Sequence, residues 1–98
     1  MINSLAQVAD CMNGVLCGED RNFSGVSTDT RTIQDGELFF ALQGPNFDGH
    51  EHTGSANLNG AAGVVVSDNI ADQITQIKVD DTRLALGRFG AAWRDGQD

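Results

Sequence analysis

A chain of 98 residues, 40% of them apolar and only one a proline, suits one small domain with a modest core and excludes a disordered tail. Fourteen acids against six Lys and Arg give a net charge of −8, which excludes nucleic acid as a partner because its binders present a basic patch. No window approaches the roughly 18 continuous apolar residues of a membrane span, and the N-terminus lacks the positive flank and apolar run of a signal peptide, so no membrane contact and a cytoplasmic location are expected.

In chain order, Ser4 is placed to cap a short amphipathic helix carrying Leu5, Val8 and Met12, which Asn13-Gly14 ends by a glycine cap. Val15 and Leu16 begin a short extended piece, and residues 19–22 form a polar turn. Residues 23–28 read as a strand, with Gly25 at an expected bulge. After a loop closed by Asp35-Gly36, residues 38–42 (Leu-Phe-Phe-Ala-Leu) form an uninterrupted apolar run. Such a run predicts a central strand buried on both faces, since a half-exposed strand would alternate. Residues 43–49 read as a loop, and a helix is predicted over about 51–59 with Ala56 and Leu58 facing the core. Residues 63–67, with Val64-Val65-Val66, form the second buried strand. Ile77 and Val79 alternate with Lys78 and Asp80, predicting a half-exposed strand. Asp81 or Thr82 caps a last helix in which Leu86, Phe89 and Trp93 recur at helical spacing. This order predicts an α/β fold: one small domain, 1–98, with a mixed β-sheet flanked by helices and a crossover helix between the two apolar strands.

Polar clusters stand at the ends of the central strand, where open α/β sheets place ligands. Ser27-Thr28-Asp29-Thr30-Arg31 precedes it, Gly44 closes it, and Phe47-Asp48-Gly49-His50 follows. The first cluster can be a braced loop with Arg31 paired to Asp29, or a set of hydroxyl and N–H donors with Arg31 offering a bidentate fork to phosphate. Arg31 is the only Lys or Arg between Arg21 and Lys78. Asp48 and His50 can contact ligand or cap the following helix, and Phe47 can stack on a base or plug the core. Cys11 and Cys17 have no second Cys or His pair at ligand spacing, so they read as reduced structural thiols and no metal site is expected.

Ordered as S-x-D-[ST]-R, then G-x-[LI]-F-x-A-[LIV]-x-G, then D-G-H, these motifs resemble the N-terminal domain of the ATP-dependent Mur ligases of peptidoglycan synthesis. Residues 81–87 (Asp-Thr-Arg-Leu-Ala-Leu-Gly) resemble that domain's closing helix. His52 stands where the family usually has an aromatic residue. Within the family the resemblance is strongest to the MurF type, which adds D-alanyl-D-alanine to a UDP-N-acetylmuramoyl-tripeptide. The MurE type, which adds the third peptide residue, is the nearest rival, and an independent small-ligand-binding domain is the alternative from another class.

The resemblance implies that Ser27, Thr28, Asp29, Thr30, Arg31, Gly44, Asn46, Phe47, Asp48 and His50 bind the UDP moiety of a UDP-N-acetylmuramoyl-peptide. It also implies that the chain carries no catalytic residue. No GxxxxGK[ST] loop is present, so the phosphate cradle that ATP use requires is missing. ATP, Mg²⁺ and D-alanyl-D-alanine are expected to be handled by central and C-terminal domains outside this chain. The chain alone is expected to be an inactive monomer that needs no cofactor.

Overall fold

The structure, a computed structural model, describes residues 4–28, 33–44, 47–48, 53–67 and 74–95, with the side chains of 43–44, 47–48 and 92–95 left aside. The elements in order are α1 (Leu5–Cys11), β1 (Val15–Cys17), β2 (Gly25–Ser27), β3 (Glu37–Phe40), β4 (Gln43–Gly44), β5 (Phe47–Asp48), α2 (Thr53–Leu58), β6 (Gly63–Val66), β7 (Gln76–Lys78) and α3 (Thr82–Asp95). Five strands form one sheet in the order β1-β7-β6-β3-β2, and β4 and β5 form a separate two-stranded ribbon. Strands β2, β3, β6 and β7 run parallel, and β1 joins the edge antiparallel to β7. The fold is thus the expected α/β domain with a mixed sheet flanked by helices.

The apolar runs explain why β3 and β6 lie inside the sheet. Leu38, Phe39, Phe40, Ala41, Val64, Val65 and Val66 are all fully buried. Because side chains alternate across a strand, the runs feed two cores at once. Leu38, Phe40, Val65 and Ile77 meet Leu5, Val8 and Met12 of α1 and its end, and Ala85 and Phe89 of α3. On the other face Phe39, Ala41, Val64 and Val66 meet Ile33, Ala56 of α2, Ala61 and Ile74. Phe89 packs its ring against Phe40 at 5.6 Å and Phe23 at 6.0 Å between centroids. This ties the last helix to both the sheet and the segment before β2.

The helix ends follow their local chemistry. The Ser4 hydroxyl accepts from the Gln7 N–H, and the Gln7 side chain accepts from the Ser4 N–H, a reciprocal cap. At the other end of α1 the expected glycine cap is corrected. Asn13, not Gly14, takes the left-handed conformation, with φ +57°. The Asn13 N–H donates to the Asp10 carbonyl and the Gly14 N–H to the Ala9 carbonyl, satisfying two helix-end acceptors. Gly14 is needed for a different reason. A Cβ there would stand 2.8 Å from Ile77 Cγ2 and 2.9 Å from Val79 Cγ1. Asp81 caps α3, its Oδ1 accepting from the N–H groups of Arg83 and Leu84.

Other boundaries differ from the sequence expectations. Gly25 sits in regular register opposite Glu37, so the expected bulge is absent from β2. β3 ends at Phe40, although the Ala41 N–H still donates to the Val65 carbonyl. The described part of the second helix begins at Thr53; residues 51–52 lie outside the described residues. Leu58, expected in the core, is 89% exposed, because on this single helical turn and a half Thr53 and Ala56 occupy the inward face. The loop expected over 43–49 holds the β4–β5 ribbon, with Gln43 opposite Asp48 and Gly44 opposite Phe47. Phe89 and Ala85 are buried as helical spacing requires and Leu86 packs partly against the core, while the side chain of Trp93 lies outside the described residues.

Candidate functional site

Parallel strands all point their C-terminal ends the same way. The ends of β2, β3, β6 and β7 therefore lie along one edge, and the segments leaving them share that edge. β2 and β3 are direct neighbours, with Ser27 paired to Phe39. The segment that starts at Ser27-Thr28 thus emerges beside the one that starts at Ala41-Leu42 and turns into the ribbon. Ser27 is half-buried as the last residue of β2, and Thr28 is exposed just beyond it. Gly44 and Phe47 pair with each other across the ribbon, and Asp48 pairs with Gln43. Asp29, Thr30, Arg31, Asn46 and His50 lie outside the described residues; of the rest of the expected set, Ser27 and Thr28 stand at the C-terminal end of β2, and Gly44, Phe47 and Asp48 belong to the ribbon that follows the neighbouring strand β3.

The same edge holds a feature that the sequence reading passed over. A depression of about 120 Å³ lies beyond β6 and β7, lined by Ser67, Asp80, Asp81, Thr82 and Arg83. In the sequence Asp81-Thr82-Arg83 reads as the start of the closing helix. The signal available was an acid- and hydroxyl-bearing segment directly following a half-exposed strand, the same placement that marked Ser27 and Thr28.

Among the described residues, no group of three or more His, Cys, Asp or Glu could hold a metal ion. The sequence has no glycine-rich loop ending in Lys-Ser or Lys-Thr to cradle a triphosphate. The described residues therefore offer no donor set that fits ATP with Mg²⁺. What they offer at the edge is hydroxyl, carboxylate, guanidinium and backbone groups. Away from this edge, burial, and then the neighbouring Asp10 carboxylate, push the Cys11 thiol up.

Fold and edge together define a small α/β domain built on four parallel strands, with its polar loops gathered at one end of the sheet. The chain belongs to the Mur ligase family: the family model described as "Mur ligase family, catalytic domain" matches residues 22–94. It is 42% identical over 90 residues, 92% of this chain and 20% of the relative, to the UDP-N-acetylmuramoyl-tripeptide–D-alanyl-D-alanine ligase of Escherichia coli K12. It is also 42% identical over 71 residues, 70% of this chain and 14% of the relative, to the UDP-N-acetylmuramoyl-L-alanyl-D-glutamate–2,6-diaminopimelate ligase of Geobacter metallireducens. A crystal structure of MurF from Acinetobacter baumannii matches with a TM-score of 0.82 and 31% identity, covering 93% of this chain and 21% of that one. The chain thus spans about one fifth of the length of these MurF ligases.

Proposed function

We propose that this chain is the N-terminal domain, 1–98, of a MurF-type ligase, and that it anchors the UDP end of a UDP-N-acetylmuramoyl-tripeptide. The observation that supports the reading is the parallel pairing of β2 and β3, from whose same-side ends leave the Ser27-Thr28 segment and the segment that forms the ribbon with Gly44, Phe47 and Asp48. Ser27 and Thr28 offer directional hydrogen bonds to the neutral uridine, and Arg31 answers the diphosphate. Asp29, Thr30, Asn46 and His50 complete the proposed contacts. In the full-length cytoplasmic enzyme, ATP-dependent joining of D-alanyl-D-alanine belongs to the chain beyond this domain. Held at its nucleotide end, far from the reacting carboxyl, the substrate contributes binding energy that positions that carboxyl for reaction.

The acidic balance of the chain opposes an anionic ligand at long range, but salt screens it beyond about 8 Å. Recognition therefore falls to local donors. The test is an amide NMR titration of the chain with UDP and, separately, with ATP. UDP should shift residues 27–31 and 43–50, and larger ATP effects centred elsewhere would overturn the assignment. The comparable identity of the Geobacter metallireducens diaminopimelate ligase supports a second reading, in which the full-length enzyme is of the MurE type. Turnover of the full-length enzyme with the UDP-linked dipeptide and tripeptide separates the two.

A further inference from the structure

We propose that the outer face of α3 docks an element of the longer ligase that follows residue 98. The inference rests on the reading of this chain as one domain of that ligase, and it holds equally for the MurF and MurE types. At about 100° per residue, the buried Ala85 and Phe89 fix the inward side of α3. The opposite side is then centred on Leu84, Gly87 and Ala91, and all three are exposed. Arg83 and Arg88 stand exposed on either flank.

A lone exposed leucine needs no explanation. Here Leu84 is 60% exposed and shares its face with a strip of small residues. A Cβ at Gly87, or at the neighbouring Gly90, would meet nothing within 4 Å, and neither glycine takes a left-handed backbone. Packing and conformation among the described residues therefore require glycine at neither position, while helix interiors disfavour it against alanine. What glycine does supply is room. Gly87 and Ala91, one turn apart, let a second helix approach α3 at the short end of the usual separation of about 8–10 Å between axes. The flanking guanidinium groups suit the polar rim that surrounds such a contact.

The occupant follows from order, length and charge. Among the described elements α3 is the last, and consecutive elements usually lie adjacent in space. The chain spans about one fifth of the MurF ligases it matches, so in the proposed full-length enzyme most of the polypeptide continues from the end of α3. A second copy of this chain is disfavoured, because it would bring together two domains that each carry a net charge of −8.

The experiment is hydroxyl-radical footprinting, read by mass spectrometry, of the 98-residue chain and of the full-length ligase, both without ligand. Leu84 should be labelled on the order of fivefold more slowly in the full-length protein, the fall from 60% exposed to the packed core of an interface. Equal rates overturn the proposal; with no nucleotide present, they leave the anchoring reading to its own titration. Protection of Leu84 in the chain alone that rises with protein concentration assigns the face to a second copy and also overturns it. Gly87→Lys supplies a second measurement. In the chain alone its side chain enters open space, and the melting midpoint should stay unchanged or rise by a few degrees. In the full-length ligase it should return Leu84 to about its labelling rate in the free chain, and continued protection counts against the proposal. Should the 98-residue chain not fold alone, the full-length parent and its Gly87→Lys variant are compared directly. Leu84 labelling should then rise several-fold in the variant, and no rise overturns the docking.

Discussion

Truncating Phe89 tests how the two ends of the chain are held together. Its ring is 2% exposed and touches Phe40 of β3 and Phe23 at 5.6 and 6.0 Å between centroids. Phe89→Ala removes a buried aromatic side chain, a change that costs about 3–5 kcal/mol once the remaining cavity is included. Domains of this size carry only about 5–15 kcal/mol in total. Each kcal/mol moves the melting midpoint by about 4–8 °C for 60–100 residues, so a fall of at least about 12 °C is expected, and a weak protein could be unfolded at room temperature. The matched control is Leu58→Ala. Leu58 is 89% exposed and should change stability by no more than about 0.5 kcal/mol. Urea melts followed by circular dichroism, with slopes compared between variants, read both. Equal losses from the two variants would refute the burial pattern and return Leu58 to the core where sequence reasoning had put it.

Gly14→Ala should destabilise by about 1–3 kcal/mol, because the new Cβ meets Ile77 Cγ2 and Val79 Cγ1 under 3 Å, and a melt within error of the parent would contradict that packing. Cys17, exposed on β1, should be alkylated by iodoacetamide well before the half-buried Cys11, whose thiol is pushed up by burial and by Asp10, as mass spectrometry of timed samples would reveal. The same raised pKa means the unfolded chain loses the Cys11 proton first as pH rises. Its contribution to stability should therefore decline above the ordinary thiol range and be absent as a pH effect below it. On the proposed anchoring role, Arg31→Ala in the full-length ligase should weaken UDP by on the order of tenfold and uridine far less, whereas Thr28→Ala should weaken both alike. An Arg31 variant with a lower melting temperature and an unchanged UDP-to-uridine ratio would make that residue a brace for its loop.

The features legible from sequence were those written in strong local chemistry. Uninterrupted apolar runs at 38–42 and 64–66 could only be interior strands, and alternation at 77–80 could only be a half-covered one. Ser4 and Asp81 announced helix starts because their side chains can replace missing backbone partners. What escaped depended on partners distant in the chain. The two-residue arms of β4 and β5 are too short to show any period. Leu58 lost its inward place to Ala56 and Thr53, small residues that let a short helix lie close to β6, and composition alone ranks Leu above both. Gly25 resembles a bulge until Glu37 is known to lie in register beside it. At the edge, Ser27 and Thr28 are singled out because a family pattern marks them. The depression bounded by Ser67 and Asp80 to Arg83 required knowing that β6 and β7 are neighbours.

Among the described strands, β1 is held in the sheet through β7 alone, where Leu16 lies opposite Ile77, roughly sixty residues later in the chain. Synthesis at about 5–20 residues per second leaves some 3–12 s between the appearance of one and of the other. During that interval α1, β1 and the Leu5, Val8 and Met12 face have neither their β7 partner nor the Phe89 face of α3 to close over them. Only the inner parallel strands can assemble in the meantime. Strand β1 is thus among the last of the described elements to acquire its sheet partner, and the α1 face stays only partly covered until the closing helix has left the ribosome.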